Sequence, residues 1–290
     1  MRDYVIMTDS CCDLSAEMAA ELELEVLPLS LEMSGKTYRN WLDGRDIPFA
    51  DFYARVRAGE TATTSAVSVG DYEEHMRPIL KSGKDILCIC FSSALSATYQ
   101  SACIAAEGLR EEFPDAKILV VDSLSASMGQ GLLVYLCVME KRRGADVEAL
   151  RDYAEATRGK VCHWFTVDDL NHLKRGGRIN AATAMFGTML SIKPVLHVDD
   201  QGRLIAVSKA RGRKASLLEL VDRMAKTAVD PAGQTVFISH GDCEEDARFV
   251  ADTIRSRFGT TDIRINYVGP VIGNHSGPGT MALFFLGTQR

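Results

Sequence analysis

The stretch Phe91-Ser92-Ser93-Ala94-Leu95-Ser96-Ala97-Thr98-Tyr99-Gln100-Ser101 decides the fold. It directly follows Asp85-Ile86-Leu87-Cys88-Ile89-Cys90, a near-continuous apolar run that reads as a buried parallel strand. It directly precedes Ala102-Cys103-Ile104-Ala105-Ala106, which reads as helix. Hydroxyls therefore crowd a strand-to-helix turn, and in an open α/β sheet ligands bind at that end of the strands. A helix N-terminus carries free amides and a partial positive charge. Ser93 or Ser96 can cap the helix there, bind an anion, or do both.

The same pattern recurs on either side. Tyr4-Val5-Ile6-Met7 reads as a strand ending in Thr8-Asp9-Ser10, with Asp13 or Ser15 capping the next helix. Lys117 to Val121 reads as a strand ending in Asp122-Ser123, followed by helices over Ser125–Lys141 and Val147–Arg158. Strands alternating with helices predict βαβ units and a mainly parallel sheet. Gly129 and Gly131 are poor helix residues and point to close packing against a ligand or another backbone. Between these units, Leu24 to Leu31 reads as a strand with Pro28 marking an edge or a bend. Lys36 to Arg39 reads as a hairpin return and Ala50 to Ala58 as helix. Gly59 to Ser68 reads as a hydroxyl-rich loop with an N-cap at Ser68.

A boundary near Gly159 divides an N-terminal α/β domain, residues 1–159, from a C-terminal domain, residues 160–290. The second part reads as a strand over Lys160–Phe165, a short helix over Leu170–Leu173, a helix over Ala181–Leu190, and a hairpin of Ser191–His197 with Leu204–Val207. An amphipathic helix over Arg211–Val229 places Leu217, Leu218, Val221 and Met224 on one face. Then come a strand over Gln234–Ser239, a helix over Glu244–Arg257, a strand over Ile263–Val268, a Gly- and Pro-rich loop over Gly269–Thr280, and a strand over Met281–Leu286. Hairpin-paired strands with helices on one face predict an α+β two-layer domain.

Length and composition fit this division. A chain of 290 residues exceeds one average domain, and 46% hydrophobic with 25% charged residues is ordinary for a globular protein. A net charge of −6 gives no general case for nucleic acid or an anionic membrane surface. The eight cysteines show neither CxxC nor zinc spacing, and Cys88 and Cys90 share one face of a strand. The start Met1-Arg2-Asp3-Tyr4 has no apolar signal segment, and no run of about 18 apolar residues exists to span a membrane. The expectation is a reduced, cytoplasmic protein.

His275 is the histidine with the strongest claim to chemistry. It sits among glycines and prolines with no apolar periodicity to bury it. His163, His172, His197 and His240 lie in strand or short-helix patterns and read as structural, and His75 as part of a solvated helix face. Lys174-Arg175-Gly176-Gly177-Arg178 lacks phosphate-loop spacing and reads as an exposed basic turn. Lys209, Arg211, Arg213 and Lys214 form a second basic cluster, and together the two suggest a docking face for an acidic partner or a phosphate. GxSxG, HExxH, EF-hand and GxGxxG motifs are all absent. Hydroxyls, helix amides and one imidazole around a cleft suit an anionic head group such as a carboxylate.

Several separated motifs together resemble the DegV family, the bacterial fatty-acid-binding proteins also called FakB. They are Thr8-Asp9-Ser10, Thr64-Ser65, Ser92-Ser93 through Ala102, Asp122-Ser123, Arg175-Gly176-Gly177-Arg178-Ile179, Lys193-Pro194, and Gly269-Pro270-Val271 through Thr280. The match runs in order over essentially the whole chain. The resemblance implies a long-chain fatty acid in an apolar tunnel at the domain junction, with its carboxylate bound by Thr64 and Ser96 and with Ser65, Ser93 and His275 nearby. It implies a separate fatty acid kinase subunit that phosphorylates the bound acid with ATP, the acyl phosphate feeding phospholipid synthesis. Arg175, Arg178 and Arg211 match basic positions of the kinase-docking face. No cofactor or metal is implied beyond the fatty acid itself. Two departures stand out: Ala66-Val67 replace the usual Gln-Pro, and Ala97 stands where glycine is common. They bear on chain-length preference and loop rigidity.

Two other readings remain open on the residues themselves. One is an acyl- or phosphoryl-transfer enzyme with His275 as acid/base and a serine nucleophile. The other is a sensor of some other small carboxylate.

Overall fold

The computed structural model describes residues 2–179 and 192–290. The helix expected over Ala181–Leu190 lies outside the described residues. Thirteen strands are named in chain order among the described residues. They are β1 (Tyr4–Asp9), β2 (Glu25–Leu27), β3 (Ser30–Met33), β4 (Lys36–Arg39), β5 (Ala62–Ser65), β6 (Asp85–Cys90), β7 (Ile118–Asp122), β8 (Val161–Thr166), β9 (Ile192–Val198), β10 (Leu204–Arg211), β11 (Val236–His240), β12 (Ile263–Tyr267) and β13 (Met281–Leu286).

The strand before the opening turn sits where its apolar run requires. β6 is buried along its whole length, inside a parallel sheet of order β2-β1-β6-β7. Helices cover both faces, which is how parallel sheets bury themselves. On one face Met7, Leu27, Ile86, Cys88 and Cys90 pack with Tyr72 and Met76 of α3 (Val69–Lys81) and with Ala102, Ala105 and Leu109 of α4 (Thr98–Glu112). On the other, Ile6, Leu87, Ile89 and Val121 pack with α5 (Met128–Arg142) and α6 (Val147–Arg158). The alternation puts Cys88 and Cys90 on one side with sulfurs 3.4 Å apart, and all eight cysteines are free thiols.

The second sheet is mixed, in the order β10-β9-β8-β13-β11-β12. β11 and β12 run parallel, and the other pairings are antiparallel. α8 (Arg213–Thr227) and α9 (Glu244–Phe258) cover one face through Leu217, Leu220, Val221, Met224, Val250 and Ile254. Leu218, expected on the apolar face, is exposed, because Leu220 takes the inward position at helical spacing. The opposite face presents Phe165, Phe237, Ala282 and Phe284 to α5, in the same core that holds Leu87 and Ile89. α5 is thus shared by both sheets, although the sheets divide along the chain on either side of Gly159. Its glycines permit this. A Cβ at Gly129 would stand 2.1 Å from His163 Nε2, and one at Gly131 would stand 2.6 Å from the Cys12 carbonyl. α5 begins at Met128 rather than Ser125, because Leu124 and Ser127 adopt positive φ of 50° and 52°.

Three readings of irregular segments are corrected. The strand expected over Leu24–Leu31 is two strands in different sheets: β2 ends before Pro28, and β3 begins a small antiparallel sheet of order β4-β3-β5. The Gly59–Ser68 loop contains β5, held by pairing with β3 rather than by any pattern of its own. The Gly269–Thr280 loop contains a short helix, α10 (Pro270–Ser276), with proline at its first turn. The small sheet and α2 (Phe49–Arg57) dock on α10 and its N-terminal flank: Tyr53 Oη donates to Val268 O at 2.7 Å and Asn274 Nδ2 to Ala62 O at 3.0 Å. Ser68 caps α3 with Asp71 in a reciprocal capping box, as expected.

Candidate functional site

A cavity of about 290 Å³ opens where the two larger sheets, the small sheet and α10 meet. Its wall is mainly apolar and includes Leu29, Phe91, Leu95, Phe165, Leu173, Val198, Val271, Ile272 and Phe284. The polar groups Thr64, Ser65, Ser96, Arg178, His275 and Ser276 also line it.

Two corrected segments supply the central contact. Thr64 lies on β5, opposite Leu31 of β3, and His275 lies in the last turn of α10. Thr64 Oγ1 and His275 Nε2 are 2.8 Å apart. The other ring nitrogen of His275 is buried without a hydrogen-bond partner. The turn Arg175-Gly176-Gly177-Arg178 covers the imidazole so closely that a Cβ at Gly176 would stand 2.1 Å from Nδ1. Burial, followed by the nearby Arg178 and Arg175 guanidinium charges, pulls the His275 pKa down to about 4. The imidazole is therefore neutral at physiological pH, beside cationic side chains and hydroxyls.

Ser96 lies just before α4, whose N-cap position is Ala97. Its hydroxyl accepts the Thr98 amide at 3.3 Å, contacts Thr98 Oγ1 at 2.9 Å and lines the cavity. Ser65 also lines the cavity, at the end of β5. Ser93 is not among the lining residues; it is exposed, and its amide donates to Asp122 Oδ1 at 3.2 Å. Ser92 closes a local turn ahead of the helix, its Oγ accepting the Ala94 amide at 3.3 Å and donating to Gly202 O at 2.9 Å, while α4 itself begins at Thr98.

The basic residues separate. Arg178, read as part of an exposed turn, is half-buried in the cavity wall, with Nε on Leu95 O at 3.2 Å. Arg175 is exposed and its guanidinium donates to His172 Nδ1 at 2.9 Å. Arg211 is exposed at the end of β10, opposite Ile192. Arg213 is committed to Asp246 at 2.8 Å.

Sequence reasoning missed a buried polar cluster at the junction. Asp13 does not cap α1 (Ala16–Glu21), which Ser15 does. Its carboxyl is buried and accepts the Gly269 amide at 3.0 Å and the Ser127 hydroxyl at 2.5 Å. Burial pushes its pKa up to about 8. Asp9 is likewise raised by burial, to about 6, while accepting from the Phe91 and Cys11 amides and from Gln130. Asp13 links the two parts of the chain through Gly269, whereas the partners of Asp9 all lie in the N-terminal part. Adjacent acidic and hydroxyl residues in Asp9-Ser10-Cys11-Cys12-Asp13, flanked by buried apolar positions, were the available signal. Among the described residues no group of His, Cys, Asp and Glu is arranged to hold a metal ion.

An apolar cavity with hydroxyls, a guanidinium and a neutral imidazole on its wall suits a molecule with an apolar body and one anionic end. The family model for an uncharacterised protein of the DegV family matches residues 3–288. The chain belongs to the DegV family. A DegV domain-containing protein of Clostridium perfringens is 45% identical over 290 residues, covering 100% of this chain and 99% of the relative. A DegV family protein from Thermus thermophilus, described by its fatty acid binding, is 32% identical with a TM-score of 0.87 and covers 99% of this chain and 100% of its own. The Streptococcus pneumoniae fatty acid kinase B3 protein loaded with linoleic acid shares the fold, with a TM-score of 0.84 at 22% identity, covering 98% of this chain and 99% of its own. The N-terminal parallel sheet and the mixed C-terminal sheet with its helices are the DegV arrangement. Among the described residues no helix is long and apolar enough to cross a membrane.

Proposed function

We propose that this DegV chain binds a long-chain fatty acid, with the tail in the cavity and the carboxylate at Thr64, Ser96 and His275. The observation that carries the reading is the Thr64–His275 contact of 2.8 Å in the wall of a cavity otherwise mainly apolar. Ser65 and Arg178 complete the anion's surroundings, Arg178 by its charge. Tail burial supplies the affinity. At about 0.8 kcal/mol per methylene, hiding a palmitoyl-length tail is worth on the order of 11 kcal/mol. A carrier must therefore enclose nearly all of the tail, and the junction of three sheets provides the walls.

In this reading the chain acts as a carrier in the cytoplasm. It presents the carboxylate to a separate kinase subunit for acyl-phosphate formation and so supplies phospholipid synthesis. Exposed Arg175 and Arg211, with Arg178 at the mouth, form the docking face. The resemblance of the whole motif series to FakB proteins supports this step.

Native mass spectrometry followed by solvent extraction tests the binding step: the purified protein should release a long-chain fatty acid. An empty cavity or a polar metabolite overturns the reading. Thr64→Ala, Ser96→Ala and His275→Ala should each lower acyl-phosphate formation with an added kinase and ATP. Turnover that persists without any kinase would instead support an acyl- or phosphoryl-transfer enzyme.

A further inference from the structure

Among the described residues that line the cavity, two buried side-chain atoms have no hydrogen-bond partner: His275 Nδ1 and Ser276 Oγ. They belong to consecutive residues of α10. Nδ1 is closely covered by Gly176. Ser276 is 4% exposed, and its hydroxyl does not bond back to a carbonyl of the preceding turn, the contact a helical serine ordinarily makes. Val271, Ile272, His275 and Ser276 line the cavity, and positions i, i+1, i+4 and i+5 form one face of a helix. The other faces are taken: a Cβ at Gly273 would meet Tyr53 and Phe52, and Asn274 Nδ2 donates to Ala62 O. The Ser276 side chain therefore stands on the cavity face, with one proton to give and nothing in the protein to take it. Other hydroxyls of the wall are committed. Thr280 Oγ1 donates to Gly277 O at 2.7 Å, and Ser127 and Ser239 are joined to each other and to Asp13.

The neighbours of Ser276 indicate what it would bond. The neutral His275 ring holds one proton. On Nδ1 that proton would be buried without an acceptor, beside the Arg178 and Arg175 charges, so it sits on Nε2 and is donated to Thr64 Oγ1. Thr64 thus accepts from the ring and keeps its own proton for an anion. Consecutive Cα atoms are about 3.8 Å apart, so the Ser276 hydroxyl, two bonds from its Cα, lies within about 6 Å of the His275 Cα. A carboxylate offers two oxygens with about four lone-pair sites. The hydroxyls of Thr64 and Ser96 fill two and leave room for a third.

We infer that Ser276 Oγ donates to the carboxylate of the bound fatty acid, as a contact additional to Thr64 and Ser96. The inference rests on the fatty-acid reading above and adds a selective element to it. A third hydroxyl donor favours the ionised acid over an ester with the same tail, because hydrogen bonds to a charged acceptor are the stronger ones and the ester oxygens carry no charge.

The test compares palmitic acid with methyl palmitate by calorimetric titration of delipidated protein, so that the tail is constant and only the head changes. Ser276→Ala, checked for folding by circular dichroism, should weaken palmitic acid about tenfold, one hydrogen bond to a charged group being of that order, and should weaken the ester by less than about threefold. A second readout follows the ligand itself. With palmitic acid isotopically labelled at its carboxyl carbon, the NMR titration of the bound carboxyl should move to higher pH in Ser276→Ala, because a donor to the ionised form has been lost. Equal losses for acid and ester, or an unchanged carboxyl titration, overturn this inference and leave the fatty-acid reading standing. If the unmodified protein does not bind palmitic acid, the fatty-acid reading fails with it.

Discussion

His275 is a buried base held neutral by its surroundings. Its folded pKa of about 4 lies below the ordinary value of 6.5, so folding favours the unprotonated ring. The resulting stability is present above about pH 6.5 and is lost as pH falls through about 4, an effect of about 3 kcal/mol. NMR titration of the imidazole in the empty protein should give a midpoint near 4, and fatty acid should raise it, since a carboxylate favours the charged ring. An unchanged midpoint on loading would place the carboxylate elsewhere. Asp13 behaves oppositely. Its folded pKa of about 8 exceeds the ordinary value of 3.8, so its contribution is fully present below about pH 4 and is lost as pH rises through about 8. Asp13→Asn should keep both hydrogen bonds, with the amide donating to Ser127 Oγ. Denaturation midpoints between pH 5 and about pH 8 should then fall less steeply with rising pH than in the unmodified protein.

At the scale of elements, α5 is the most constrained. Gly131→Ala would push a methyl group to within 2.6 Å of a backbone oxygen that cannot swing aside. Overpacking of this kind costs about 1–3 kcal/mol, to be read from urea denaturation. Ser68→Ala should cost about 1 kcal/mol through loss of the α3 capping box, with ligand binding unaffected. These elements were legible because their signals are local: apolar runs for β6 and β13, helical spacing for α3 and α8, a cap at Ser68. β5 and α10 were not. β5 alternates between half-buried and exposed residues and exists through its pairing with β3. α10 has seven residues, three of them Pro270, Gly273 and Asn274, and is fixed by Tyr53 and Asn274 contacts from distant chain. Pro270 was the one readable start signal. Thr64 was therefore found through family resemblance and His275 through its Gly- and Pro-rich surroundings, while their supporting elements were misread as loops. Nothing local announces that Asp122 ties the Ser93 amide.

At the scale of the whole molecule, one apolar core passes from the parallel sheet through α5 into the mixed sheet. Thermal or urea unfolding should accordingly proceed in one transition, with tryptophan fluorescence and far-ultraviolet circular dichroism coinciding. Two separated transitions would show that the halves fold independently. A fatty acid at 100 times its Kd should add about 2.7 kcal/mol to stability and move that single transition upward as a unit.

The mouth joins Thr64 to His275 across 211 positions of chain. A ribosome releases residues in order, so β5 emerges long before α10 exists to meet it. A nascent chain that holds a folded parallel sheet still lacks the Thr64–His275 contact and the cavity wall formed by Val271 and Ile272. Under the proposed function, loading therefore waits until α10 has been made, and a chain that has not reached it takes up no fatty acid.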